Sequence, residues 1–141
     1  MSSDVLYVGE HNSAGQRHGK GRARFSDGGT YDGEWSDDLM HGMGKLIMGN
    51  GDTYEGEFFR DKKHGKGRYV YATGEIHEGQ YDMDVVSGKG TLDFSNGDHY
   101  EGEFANNMIH GYGIYKFANG SVYEGGNWML VLYIQCFMTS S

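Results

Sequence analysis

Four histidines occupy the same place in a repeated motif and are the first candidates for chemistry. Each precedes a Gly-x-Gly sequence; they are His18, His41, His64 and His110. Zinc holds each of its ligands at about 2.1 Å. If successive copies of the motif are stacked hairpins, equivalent residues lie about 10 Å apart and cannot share one ion. We therefore expect loop histidines whose rings bond to nearby backbone groups, and no metal or other cofactor.

The glycine and acidic pairs match known ligand loops poorly. No Gly-x-Gly continues to G-x-G-x-x-G or ends in G-K-[ST], so a phosphate loop is not predicted. Asp82-x-Asp84 begins like a calcium loop, but Ser87 stands where that loop requires glycine and Asp93 where it expects glutamate. The single cysteine, Cys136, has no histidine after His110 to activate it. We expect a protein that is not an enzyme.

The basic residues cluster in two groups. Nine of the twelve are Arg17, Lys20, Arg22, Arg24 and then Arg60, Lys62, Lys63, Lys66, Arg68. The second group is a candidate contact for anionic lipid, because each base near an anionic membrane contributes about 1 kcal/mol. The alternative is local pairing with Asp32, Glu34, Glu55, Glu57 and Asp61. A net charge of −8 favours local pairing and disfavours nucleic acid as a partner.

Aromatic residues recur with a fixed spacing and supply the candidate partner-binding set: Tyr31, Trp35, Tyr54, Phe58, Tyr100 and Phe104. Most should be core, but one face of a single layer would stay partly open. Such a face, rimmed with charge, suits a partner helix or an extended peptide.

These side chains belong to a repeat of 23 or 24 residues. Its first half is Tyr54-Glu55-Gly56-Glu57-Phe58, and its second half begins His64-Gly65-Lys66-Gly67. Copies start at residues 7, 31, 54, 77 and 100, with a partial sixth at 123. Alternation within each half places aromatics and glycines on one face and charges on the other, which predicts a β-hairpin. Glutamates of one strand can then pair with bases of the next.

A glycine turn separates successive copies, at Asp27-Gly28, Asn50-Gly51, Thr73-Gly74, Asn96-Gly97 and Asn119-Gly120. One hairpin cannot bury its apolar face alone, so the copies must stack. The prediction is an all-β, elongated, single-layer twisted solenoid of tandem antiparallel β-hairpins. Its segments are a lead at 1–6, a repeat array at 7–125 and a divergent apolar tail at 126–141.

The tail changes character. Residues 128–138 are uncharged and apolar, too short for a spanning helix of about 20 residues. A strand capping the last hairpin and the end of a shortened form are both open interpretations. An uncharged terminal strand can pair with a second copy of the chain, so self-association through the terminal hairpin is a further expectation.

The Y-x-G-x-[WF] and H-G-x-G halves resemble the membrane occupation and recognition nexus (MORN) repeat over residues 7–125. The fourth copy departs from the pattern, with His77 for tyrosine and Ser87 for histidine. The resemblance implies a scaffold in cytoskeletal, ciliary or membrane-junction assemblies, with phospholipid binding as an alternative. The opening copy, from Tyr7 to Arg24, also resembles radial spoke head proteins of cilia and flagella. Since one cysteine and no secretory signal suit a reducing interior, we expect a cytoplasmic, cytoskeletal protein of the cilium or flagellum.

Overall fold

The computed structural model describes residues 4–126, which form one antiparallel sheet of eleven strands in sequence order and contain no helix. The strands are β1 Asp4–His11, β2 Arg17–Phe25, β3 Thr30–Ser36, β4 Leu39–Ile47, β5 Thr53–Phe59, β6 Lys62–Val70, β7 Ile76–Asp82, β8 Val85–Asp93, β9 His99–Ala105, β10 Met108–Lys116 and β11 Val122–Gly125. The prediction of tandem hairpins in one layer is confirmed. The predictions for the tail, for Cys136 and for the terminal hairpin concern residues outside the described range.

Glycine turns join successive repeats, as predicted. Gly28, Gly51, Gly74, Gly97 and Gly120 have φ between +91° and +108°. At the first of these turns, the Phe25 amide donates to the Gly29 carbonyl at 2.8 Å and the Gly28 amide donates to the Phe25 carbonyl at 3.0 Å. Glycine is needed at that point because the chain adopts a left-handed conformation there.

A second set of turns, within the second to fifth repeats, contains no glycine. Their central pairs are Asp37-Asp38, Arg60-Asp61, Met83-Asp84 and Asn106-Asn107, and all eight residues have φ between +47° and +73°. Positive φ at both central positions defines the type I′ turn, which matches the twist of the flanking strands. We refer to these as the hairpin turns. They lie along the edge of the ribbon opposite the glycine turns.

Facing glycines form a line across the sheet, and tyrosines lie over it. Gly33 pairs with Gly44, and Gly44 pairs with Gly56. A Cβ atom on Gly44 would lie 2.2 Å from the Tyr31 hydroxyl oxygen. The Tyr31 hydroxyl donates to the Glu34 carbonyl at 2.7 Å. The absence of side chains on the glycines thus lets each tyrosine ring lie flat against the sheet. The aromatic side is called the inner face below, and the charged side the outer face.

Candidate interaction surfaces

The six aromatic residues proposed to contact a partner are the core of the ribbon. Tyr31, Tyr54 and Tyr100 have no exposed surface, and the exposed fractions are 4% for Trp35 and Phe58 and 6% for Phe104. Each tyrosine packs edge-to-face against the aromatic residue four positions later, at ring-centroid distances of 5.0 to 5.2 Å. Burial raises the pKa of Tyr100 to about 12. Direct partner contact by these six was the wrong expectation, because the repeats cover one another's rings.

An open groove lies beside this core on the inner face. It has a volume of about 600 Å³, within the range of ligand-binding clefts. Its floor is Phe25, Leu46, Met48 and Phe58. The glycine-turn side is Asp27, Gly29, Gly49 and Asn50, and the hairpin-turn side is Arg60, Asp61, Lys62, Lys63 and Asp84. Phe25, Leu46 and Phe58 are buried at the base of the groove, and Met48 is the partly exposed member of this floor between the two charged rims.

The hairpin-turn rim is held in place by the preceding repeat. The Asp61 carboxylate accepts a hydrogen bond from the Met40 amide at 2.7 Å, and the Asp61 amide donates to the Met40 carbonyl at 2.9 Å. Asp84 makes the same pair of bonds with the backbone of Lys63, both at 2.8 Å. Each turn is therefore fixed to a strand one repeat away, which gives the groove a rigid side.

The predicted basic cluster is divided between surfaces. Lys63 points to the inner face, where it pairs with Asp84 at 3.2 Å and lies 5.6 Å from the Tyr69 ring. Arg68 lies on the outer face, 2.8 Å from Glu78. Lys66 is exposed on that outer face as well, while Arg60 and Lys62 are exposed at the hairpin-turn edge. Local pairing therefore accounts for two of the five candidate lipid contacts.

The exposed side chain of Phe59 is a feature that the sequence reasoning missed. It is 40% exposed and lies between the rings of His41 and His64, at centroid distances of 5.5 and 5.7 Å. Arg60 follows it in the chain, and Lys62 is its cross-strand partner. An exposed aromatic beside two bases forms a second candidate surface, on the hairpin-turn edge.

The glutamates of the outer face have two roles. In the register of Glu78, two acids pair across strands as predicted: Asp32 binds Arg22 at 2.9 Å and Glu78 binds Arg68 at 2.8 Å. Those in the register of Glu57 instead bind the backbone. The Glu57 carboxylate accepts a hydrogen bond from the Lys66 amide at 2.7 Å, where the strand bulges next to Gly65. The predicted side-chain pairing is wrong for this second set because the bulge presents an amide to the carboxylate.

Two of the four motif histidines bind backbone groups. His18 Nδ1 accepts a hydrogen bond from the Asp37 amide at 3.3 Å, and His64 Nδ1 accepts one from the Met83 amide at 3.2 Å. Each histidine therefore holds the hairpin turn of the following strand pair. Within residues 4–126, no group of three or more His, Cys, Asp or Glu side chains is placed to hold a metal ion.

His77 takes the place of the tyrosine in the fourth repeat and is 2% exposed. Its Nδ1 lies 2.7 Å from the Tyr81 hydroxyl, whereas its Nε2 has no hydrogen-bond partner within the described structure. Burial lowers the pKa of His77 to about 4. The imidazole is therefore neutral at physiological pH and fills the tyrosine site without tyrosine's bond to the backbone.

The chain forms one open sheet of tandem hairpins. Its tyrosine rings pack on facing glycines, and a groove lies beside these rings. These features define a repeat that serves interaction. The profile of the MORN repeat matches residues 13–30, 31–53, 54–76, 77–99 and 100–122, and the chain belongs to this family. Repeats of this family serve protein or membrane interaction, and the chain is a repeat protein of that kind.

No curated protein matches the sequence. Among solved structures, the chain is similar to the SAS-4 (dCPAP) TCP domain of Drosophila melanogaster, which was solved in complex with a proline-rich motif of Ana2 (dSTIL). The identity is 17% and the TM-score 0.41, over 90% of this chain and 83% of that one. A likeness at this level assigns no function. Residues 4–126 include no helix with the length and hydropathy needed to span a bilayer.

Proposed function

We propose that this chain is a non-catalytic scaffold that binds an extended peptide or a helix of a partner protein in its inner groove. The observation that supports this is the floor of Phe25, Leu46, Met48 and Phe58 between two charged rims. An extended peptide would place apolar side chains on that floor and polar groups against the rims. The proposed binding surface is thus the groove around Met48, to which only Phe58 of the six buried aromatics contributes.

Met48 is the residue with which to test the groove. It is partly exposed on the floor and packs against the core, where its Sδ accepts a hydrogen bond from the Tyr69 hydroxyl at 3.3 Å, so thermal unfolding must accompany the binding assay. The matched control is Met43, in the preceding strand, which is 55% exposed on the outer face. We expect Met48→Glu to abolish partner pull-down and Met43→Glu to preserve it. Equal pull-down by both folded variants would reject the groove as the binding site.

The proposed setting is a cytoskeletal assembly of the ciliary or flagellar kind, in the cytoplasm. The likeness of Tyr7 to Arg24 to the start of radial spoke head proteins, a narrower group, supports it. Affinity purification from ciliated cells should then enrich axonemal proteins with the parent chain and lose them with Met48→Glu. Specific capture of a different protein set would refute the ciliary setting while leaving the scaffold role intact.

A phospholipid-headgroup adaptor is the second candidate, favoured by Phe59 beside Arg60 and Lys62. An exposed ring can enter the headgroup region while the bases contact anionic lipid. Arg60→Glu with Lys62→Glu should abolish salt-sensitive binding to phosphatidylserine vesicles. Lys45→Glu with Lys89→Glu makes the same change in charge on the outer face and should leave most binding in place. Absence of vesicle binding by the parent chain at low salt would eliminate this candidate.

A further inference from the structure

The outer face carries a ladder of charges whose bases stop halfway along the ribbon. In register across neighbouring strands lie Arg22, Asp32, Lys45, Glu55, Arg68, Glu78, Thr91, Glu101, Ile114 and Glu124. The acidic position is Val8 in the first repeat and is filled by an acid in every later copy, including the partial sixth. The basic position is Arg, Lys and Arg in the first three repeats, and then Thr91 and Ile114.

The loss of these two bases leaves this end of the face acidic. Over both faces, residues 77–126 contain eight acids and two bases, a net of −6 out of the chain's −8; of these acids, Asp84 and the buried Asp98 lie off the outer face. Arg22 and Arg68 make ion pairs of 2.9 and 2.8 Å with the acids beside them. Glu101 has Thr91 on one side and Ile114 on the other, and makes no ion pair within the described residues.

The same end of the face is concave and partly apolar. A groove of about 610 Å³ lies between Lys89, Thr91, Glu101, Glu103, Tyr112 and Ile114, with Gly90, Gly102 and Gly113 at its base. Tyr112 is 55% exposed there, and its hydroxyl contacts the Glu124 carboxylate. Opposite-charge pairs across strands each stabilise a sheet by about 0.2–1 kcal/mol, and this end of the ladder lacks that stabilisation.

We propose that the outer face of repeats 4 and 5 binds a lysine- or arginine-rich segment of a partner protein. The partner's bases take the positions that Arg22, Lys45 and Arg68 fill in the earlier repeats. Its apolar side chains pack on Ile114 and Tyr112, and its bases approach Glu101 and Glu124. Complementary charge raises the association rate and selects the partner. The site lies on the opposite face from the inner groove and does not depend on the function proposed for that groove.

A labelled peptide of alternating lysine and leucine tests the proposal on the full chain, by fluorescence anisotropy at low and moderate salt. The parent chain should bind it in a salt-sensitive manner, and the same peptide with glutamate in place of lysine should not bind. The variant Thr91→Lys with Ile114→Lys restores the ladder and should weaken binding about tenfold or more.

The control variant Ser26→Lys with Ala72→Lys adds the same two charges at exposed glycine turns and should bind nearly as the parent does. Met48→Glu should also bind normally, which separates this site from the inner groove. Thermal unfolding of each variant verifies the fold. The proposal is overturned if the parent does not bind, if the ladder variant binds as well as the parent, or if the control loses as much affinity as the ladder variant.

Discussion

A Cβ atom on Gly67 would lie 2.2 Å from the hydroxyl oxygen of Tyr54, so the glycine and the tyrosine exclude any larger residue at that glycine. The Tyr54 hydroxyl then reaches the Glu57 carbonyl at 2.8 Å. The same arrangement holds for Gly44 with Tyr31 and, one repeat from the end of the array, for Gly113 with Tyr100. The glycine and tyrosine positions of the short sequence motif therefore determine how the whole ribbon packs.

Replacing Gly67 with alanine should destabilise the protein strongly. Its φ is not in the left-handed region, so the cost comes from the clash with the Tyr54 ring and should be about 3 kcal/mol. The control is Gly28→Ala, where φ is +91° and a Cβ meets nothing within 4 Å, with an expected cost of about 1 kcal/mol. Urea unfolding measures both, and equal losses would contradict this packing account.

The Asp98 carboxylate is predicted to hold the last glycine turn. It is 5% exposed and accepts bonds from the Tyr115 hydroxyl and the Ala118 amide, both at 2.7 Å. Asp98→Ala should cost about 2 kcal/mol, because it leaves a buried hydroxyl and an amide without an acceptor. Glu75 occupies the equivalent place one repeat earlier, but it is half-buried and its carboxylate accepts a local bond from the Thr73 hydroxyl. Glu75→Ala should therefore leave the unfolding free energy within about 0.5 kcal/mol, and a comparable loss would argue against the account.

His77→Tyr should stabilise the fourth repeat by about 1 kcal/mol, since a tyrosine hydroxyl can bond to the Gln80 carbonyl as its equivalents do. It should also change the pH dependence. The pKa of His77 is about 4 in the folded protein and has its ordinary value of 6.5 in the unfolded chain, so the unfolded chain binds the extra proton between those values. Stability is then lost as the pH falls from 6.5 towards 4. Unfolding curves of both proteins across that range should diverge, and parallel curves would exclude an effect of His77.

The hairpin turns offer a prediction in which stability increases. Met83 has φ +47°, where asparagine is better tolerated, so Met83→Asn should raise the unfolding free energy by about 0.5–1 kcal/mol. Asn106 is the equivalent residue one repeat later, at φ +51°. Asn106→Met should lower the free energy by a similar amount. If the two changes shift the melting temperature in the same direction, the assignment of strain at these turns is wrong.

The sheet, the glycine turns and the division into two faces could be predicted from the sequence. The alternation of residue types and the Asn-Gly pairs are local patterns that determine them. The hairpin turns at Arg60-Asp61 and Met83-Asp84 could not be predicted, since neither pair has the composition of a type I′ turn. Their positive φ is imposed by the strands and by the aspartate bonds to the preceding repeat. The sequence predicted that most of these aromatics form the core, but not that Tyr31 and Phe58 are almost completely covered, because that depends on rings from adjacent repeats packing on one another.

The binding surfaces could be predicted only in outline. The motif indicated an aromatic face, but the accessible floor at Met48 becomes visible only when both turn edges are placed around it. The basic cluster of residues 60–68 looked continuous in sequence. Strand alternation and the ion pairs of Lys63 and Arg68 divide it between two faces and one edge.

The central claim is that the repeats stack edge to edge in one continuous sheet. Spin labels at equivalent exposed turn positions test it directly, with Cys136 replaced by serine. Distances from residue 26 to residues 72, 95 and 118 should rise by about 10 Å with each added repeat, because two strands at about 4.8 Å make one step. Distances that level off or shorten as repeats are added would contradict the continuous sheet and both grooves built on it.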